Sequence, residues 1–153
     1  MSVTGAETPV AVATDGVAFD ALVEMSFAIQ ELLARTADRY GLSLSQLRLL
    51  GILRDREPTM LSLARHLNLE KSSASGLIDR AEQRGLVIRK PGSQDRRTIR
   101  VAITPEGRRL VGRIERALAQ PSVELLAPLS PRQRRQLTGL LRNLIGPDHL
   151  QPG

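Results

Sequence analysis

The chain contains no cysteine, which excludes disulfides, thiolate metal sites and thiol-based redox sensing. Aromatic residues are almost as scarce: there is no tryptophan, and only Phe19, Phe27 and Tyr40 carry rings of that kind. A core made without them must come from Leu, Ile, Val and Ala packed between helices. No apolar run approaches the roughly 20 residues needed to cross a bilayer, so no membrane partner is expected. Residues 1–16 lack a basic stretch ahead of an apolar segment and do not read as a signal peptide. A disordered tail and a cytoplasmic location are the expectation. The histidines are His66 and His149 alone. No H-x-x-x-H pair, glycine-rich phosphate loop or nucleophile motif is present. Neither an enzyme nor a metal or cofactor site is therefore expected.

What remains is arginine and aliphatic periodicity. The net charge of +6 favours a polyanionic partner. Its distribution says more: Arg84, Arg89, Lys90, Arg96, Arg97 and Arg100 face one acid, Asp95, within 17 residues, an excess suited to phosphate neutralisation. From Val17 to Tyr40 apolar residues recur at helical spacing, with Asp15 or Gly16 to start the helix and Gly41 to stop it. Ser43 and Gln46 fit a capping box for a second helix through Leu47, Leu50 and Leu53 to about Arg56, ended by Pro58. Thr59 caps a short third helix, and Asn68 suits the left-handed turn that closes it. A fourth helix runs from about Glu70 to Arg84, with Ala74, Leu77, Ile78 and Ala81 inward and Gly85 at its end.

Residues 86–90 and 98–103 are β-rich, joined by a turn-forming segment, 91–97, that is too long for a two-residue hairpin. Thr104 and Pro105 form a cap-plus-proline helix start. That helix carries Leu110, Ile114 and Leu118, and Pro121 is expected to kink or interrupt it. Ser130 and Pro131 repeat the start signal for a last helix that Gly146 and Pro147 end. Helix, tight turn, helix and an arginine-tipped β-loop in that order describe a winged helix-turn-helix, which sets one helix in the major groove of DNA while the loop reaches a neighbouring groove.

The runs Leu63-Ala64-Arg65-His66-Leu67-Asn68-Leu69, Glu70-Lys71-Ser72-Ser73-Ala74-Ser75 and Asp79-Arg80-Ala81-Glu82-Gln83-Arg84-Gly85-Leu86-Val87 resemble the MarR family of bacterial regulators. Asp95-Arg96-Arg97 and Ile103-Thr104-Pro105-Glu106-Gly107 strengthen the match, which covers about residues 57–108. The resemblance implies a homodimer of winged helix-turn-helix subunits on a palindromic double-stranded DNA operator. It also implies terminal helices intertwined across the two-fold axis, and a small aromatic or phenolic effector where the dimerisation and DNA-binding parts meet. Two departures stand out. Gly76 occupies a recognition-helix position where many relatives carry a longer polar side chain or arginine. Glu70 stands where a serine cap is common; it is expected either to face the helix N-terminus or to pair with a wing arginine. Without cysteine the chain is not one of the family's peroxide sensors.

The fold expected is mainly α with a small β-wing: a winged helix-turn-helix domain at 43–104, a dimerisation helix at 17–42, further dimerisation helices at 105–146 and tails at 1–16 and 147–153. On the fourth helix Lys71, Ser72, Ser73 and Ser75 are the expected DNA-binding residues, because short hydroxyls permit close approach to the groove floor. Arg80 either contacts a phosphate or pairs with Asp79 or Glu82. Arg89 and Lys90 are expected on phosphates, and Arg96 and Arg97 in a narrow minor groove. Asp95 would brace Arg97 through a carboxylate–guanidinium pair. Arg48, Arg54 and Arg65 carry the same charge without a motif. Effector-pocket candidates are Phe27, Tyr40 and Leu47, with Leu33 and Leu110 beside them. The function expected is a sequence-specific DNA-binding regulator, most often a repressor. The alternative is a winged-helix protein-interaction module, which would call for an acidic or apolar recognition helix in place of Lys71 and its hydroxyls.

Overall fold

The computed structural model describes residues 9–92 and 95–146. Six helices and one hairpin follow in the order α1 (Pro9–Arg39), α2 (Leu44–Leu53), α3 (Met60–Leu67), α4 (Lys71–Gln83), β1 (Val87–Pro91), β2 (Ile99–Ile103), α5 (Pro105–Leu126) and α6 (Pro131–Ile145). The mainly α architecture with a two-stranded wing agrees with the sequence expectation.

Local chemistry sets most boundaries. The Ser43 hydroxyl accepts the Gln46 N–H while the Gln46 side chain accepts the Ser43 N–H, completing the capping box of α2. Thr59, Thr104 and Ser130 cap α3, α5 and α6 in the same hydroxyl-to-N–H manner. Three helices end alike. Leu42 N–H reaches Ala37 O, Leu69 N–H reaches Ala64 O and Leu86 N–H reaches Ala81 O, each with the preceding residue's N–H bonded one turn back. This Schellman closure needs a left-handed residue at its hinge, supplied by Asn68 at φ 53° and Gly85 at φ 69° after α3 and α4.

Three boundaries differ from the sequence reading. The first helix begins at Pro9, not near Asp15 or Gly16, so residues 9–16 of the expected tail are helical. Gly16 sits inside the helix, where it costs about 1 kcal/mol relative to Ala without breaking the hydrogen-bond ladder. Residues 1–8 and 147–153, Pro147 and His149 among them, lie outside the described residues, as do Ser93 and Gln94 in the wing; Gly146 is described and caps the end of the sixth helix, its N–H bonded to Arg142 O. The second helix ends at Leu53, a turn before Pro58. The fifth helix passes through Pro121 without interruption; a proline deletes one N–H there but its fixed φ remains compatible with α-helix.

The core lies where α2, α3, α4, the hairpin and the first half of α5 meet. Leu49, Leu50, Leu53, Leu63, Ile78, Val87 and Val101 are its largest enclosed side chains, each stabilising the fold by about 1.5–3 kcal/mol on burial. Ala37 and Leu42 from the end of α1 and Leu110, Val111 and Ile114 from α5 join it. The hairpin pairs antiparallel from Val87 opposite Ile103 to Pro91 opposite Ile99. Its second strand is also tied to the α2–α3 connection, through a Thr59–Arg100 bridge and a bond from Val101 N–H to Pro58 O of 3.0 Å. By contrast α6 buries no residue, and Val17, Phe19, Phe27, Leu140 and Leu144 stay exposed along α1 and α6. Among the described residues no helix is long and apolar enough to cross a membrane.

Candidate nucleic-acid interface

The fourth helix starts at Glu70, whose backbone is in the extended capping conformation but whose side chain makes no cap hydrogen bond. Neither role expected for Glu70, at the helix N-terminus or with a wing arginine, is seen among the described residues. The first-turn N–H groups are thus left to outside acceptors. Lys71, Ser72 and Ser73 are exposed, Ser75 and Gly76 half-buried, and Asp79 and Arg80 exposed. The inward positions Ala74, Leu77, Ile78 and Ala81 are buried, so one stripe packs on the core and the opposite stripe faces outward.

The wing is held to this helix by Arg89. Its guanidinium donates to Asp79 Oδ1 and to Glu82 Oε2, both at 2.6 Å, and its backbone N–H donates to Glu82 Oε1 at 2.9 Å. Its second terminal nitrogen also lies 3.4 Å from both the Ser75 hydroxyl and the Ser75 carbonyl. The Arg89 N–H holds the Glu82 carboxyl below the usual carboxylate range against partial burial, and the guanidinium adds to that. Burial disfavours the Arg89 charge, yet its bonds to Asp79 and Glu82 outweigh it and raise the pKa. Arg89, expected on a phosphate, is instead a strut between wing and helix, with its side chain one-quarter exposed. Ser75 is drawn to that strut. Lys90 is engaged as well: its ammonium lies 2.7 Å from Glu57 Oε2. Arg100 donates to the Glu57 carbonyl at 2.8 Å, so Glu57 anchors the root of the wing.

At the tip, Asp95 does not pair with the Arg97 guanidinium. Its carboxylate accepts the Arg97 backbone N–H at 2.9 Å and lies 3.4 Å from the Thr98 hydroxyl. Thr98 N–H donates to Asp95 O at 3.1 Å, and Gly92 N–H to Thr98 O at 2.7 Å. A short acidic side chain two residues ahead of an N–H forms this ring more readily than it reaches a long arginine. The brace is therefore on the backbone, and the guanidinium groups of Arg96 and Arg97 stay exposed.

Sequence reasoning named Arg84 and Arg54 only as basic charges and missed the links that they make. Arg84 donates to Gly41 O at 2.7 Å, fastening the end of the fourth helix to the end of the first. Arg54 bridges Asp55 at 2.8 Å and Glu115 at 2.9 Å; the Asp55 hydrogen bond, then that to Glu115, raises its pKa. The adjacent Asp55 is visible in sequence, but Glu115 and Gly41 are far along the chain.

A groove of about 1130 Å³ runs between α1, α2 and α5, lined by Leu33, Leu47, Arg48, Ile52 and Ile114 among others. Leu33 and Leu47 were expected there. Tyr40 is not on its wall; its hydroxyl donates to Arg113 O at 3.2 Å. Phe27 is exposed on the outer side of α1, and Leu110 is enclosed in the core.

The MarR family model matches residues 40–98, from the end of α1 to the wing. The HTH-type transcriptional regulator PecS of Dickeya dadantii (strain 3937) is 29% identical over 124 residues, 78% of this chain and 75% of PecS. The chain carries a MarR-family region at residues 40–98, and these likenesses support a MarR-family regulator. It is a DNA-binding transcriptional regulator of the winged-helix type. The fold likeness agrees. A MarR transcriptional regulator from Methanosarcina mazei Go1 superposes with TM-score 0.73 at 23% identity, over 85% of this chain and 94% of that one. CouR from Rhodococcus jostii RHA1, solved with p-coumaroyl-CoA bound, gives TM-score 0.72 at 23% identity, over 88% and 94%.

Proposed function

We propose that this chain is a repressor that works in the cytoplasm as a homodimer on a palindromic operator. The observation that carries the reading is how charge is shared at the interface. Asp79 and Glu82 are taken by Arg89, the Glu57 side chain by Lys90 and the Asp95 carboxylate by the wing's own backbone. Lys71, Arg80, Arg96 and Arg97 are exposed cations on that same surface, without an ion pair among the described residues. Apart from Glu70, exposed and without an ion pair among the described residues, the acids of this helix and loop are engaged, and the cation-rich surface that remains is what a phosphate-lined groove requires. In this reading Lys71, Ser72 and Ser73 enter the major groove, and Arg97, with Arg96 beside it, enters the adjacent minor groove. Arg89, Lys90 and Ser75 hold that surface in shape.

The homodimer is supported by the exposed apolar faces of α1 and α6, since a helix that buries nothing in its own subunit needs another partner. The groove beside Leu33, Leu47 and Arg48 suits a small aromatic or phenolic effector with an anionic group: apolar walls for the ring and a guanidinium for the charge. CouR, with its bound p-coumaroyl-CoA, is a fold relative that takes an aromatic acyl ligand.

The test is equilibrium binding to duplexes selected from random DNA, titrated with salt. Arg97→Ala should weaken specific binding by about tenfold or more, and Lys71→Ala should reduce the salt slope by about one phosphate unit. Wild-type affinity and slope in both variants at about 0.15 M salt would overturn the assignment.

A further inference from the structure

Arg80 stands beside two carboxylates in sequence, and both belong to another arginine. Asp79 and Glu82 are held by Arg89 at 2.6 Å each. Arg80 itself is exposed, and its side chain has no ion pair or hydrogen bond among the described residues. Its guanidinium folds back one helical turn: Nη1 lies 3.5 Å from the point where a Cβ at Gly76 would stand. Ser72, Gly76 and Arg80 are four residues apart in series, which places them on one face of α4, and none of them is buried. The middle of the outward stripe is therefore bare, with a planar five-donor fork lying along it.

Position and chemistry agree on what such a fork does. Helical side chains cover the surface over the turn N-terminal to their own Cα, which brings this guanidinium toward Ser72 and Ser73. That is the end of a recognition helix that meets base edges. An arginine paired with a carboxylate must surrender that pair before it binds a base; Arg80 has no such pair to break. A phosphate is served as well by any point charge at the groove rim, whereas a flat guanidinium on the central stripe matches the O6 and N7 acceptors of guanine.

Resting on the operator reading above, we infer that Arg80 is a specificity-determining residue. It donates two parallel hydrogen bonds to a guanine in each half-site, and Gly76 leaves the room in which its guanidinium lies. A longer side chain at position 76 would occupy that room.

The experiment is parallel selection from random duplex DNA with wild type, Arg80→Lys, Arg80→Ala, Gly76→Ala and Gly76→Gln, each checked for native helicity and melting. Lysine keeps the charge and loses the fork. Arg80→Lys and Gly76→Gln should flatten a G·C preference by about tenfold at the same pair of symmetry-related positions and leave the others. Gly76→Ala should keep the preference, because a Cβ at 3.5 Å is in ordinary contact. Arg80→Ala should lose it with an unchanged salt slope. The inference is overturned if Arg80→Lys enriches wild-type base weights at every position. It is also overturned if Arg80→Ala lowers affinity evenly across sequences with a slope smaller by about one, the mark of a phosphate contact. If wild type enriches no sequence, the operator reading itself fails and takes this inference with it.

Discussion

Arg89 carries two acids, Asp79 and Glu82, that would otherwise stand unpaired beside the exposed cations of the fourth helix and wing. Of these, Glu82 gives a pH-dependent test. Its carboxyl is held below the ordinary value of 4.5, first by the Arg89 N–H and then by the guanidinium. A depressed folded-state pKa contributes stability that is fully present above the unfolded value and lost as pH falls through the folded one. The melting temperature of wild type should therefore exceed that of Glu82→Gln at neutral pH, with the gap closing as pH drops below about 4.5. The side chain is 38% exposed, so solvent screens the effect and the gap is modest. A gap that does not change with pH would mean that the Glu82 charge adds nothing to the strut. This residue also marks a limit of reading sequence. That Asp79, Glu82 and Arg89 are charged is evident, but which cation takes which acid depends on a hairpin folding back over a helix. Arg80 lies next to Asp79 in the chain and Arg89 ten residues on, yet the distant one makes the pairs.

At the scale of elements, the helix starts and stops were legible because they are local. The capping box at Ser43 and Gln46, the Thr104–Pro105 start and the Asn68 turn each need only three or four residues to specify. The length of α1 was not legible, since the residues before Asp15 carry no polar stripe to mark one face of a helix. Another element-scale constraint also hides in sequence. Gly107, in the first turn of α5, packs so closely on the wing root that a Cβ there would overlap the Leu86 carbonyl oxygen and meet Ile103 Cγ1 at 2.7 Å. Neither obstacle is a flexible end. Thr104 locks the same corner, its hydroxyl donating to Gly85 O at 2.6 Å and its N–H to Leu86 O at 3.0 Å. Gly107→Ala should therefore destabilise by about 1–3 kcal/mol, a fall in melting temperature of several degrees. Gly51→Ala, in α2 with nothing within 4 Å of its Cβ, should raise stability by up to about 1 kcal/mol. Thermal unfolding of the two variants decides it; equal shifts would show that the α5–wing contact yields freely.

For the whole molecule, two features have to belong to one assembly. The recognition helix and wing form one outward surface, fastened to α1 through Arg84 and Gly41. The apolar faces of α1 and α6 form another, uncovered within the subunit. If the second surface joins two copies across a two-fold axis, the first surface is duplicated and faces DNA twice. Sequence indicated this arrangement only through family resemblance, because no single chain encodes the position of its partner. Hydroxyl-radical footprinting of the protein on a selected duplex reads the arrangement directly. The expected pattern is two protected patches per strand related by a dyad, with half-site centres about 10 base pairs or a multiple of that apart. One unpaired patch, or protection that spreads evenly along any duplex, would contradict it.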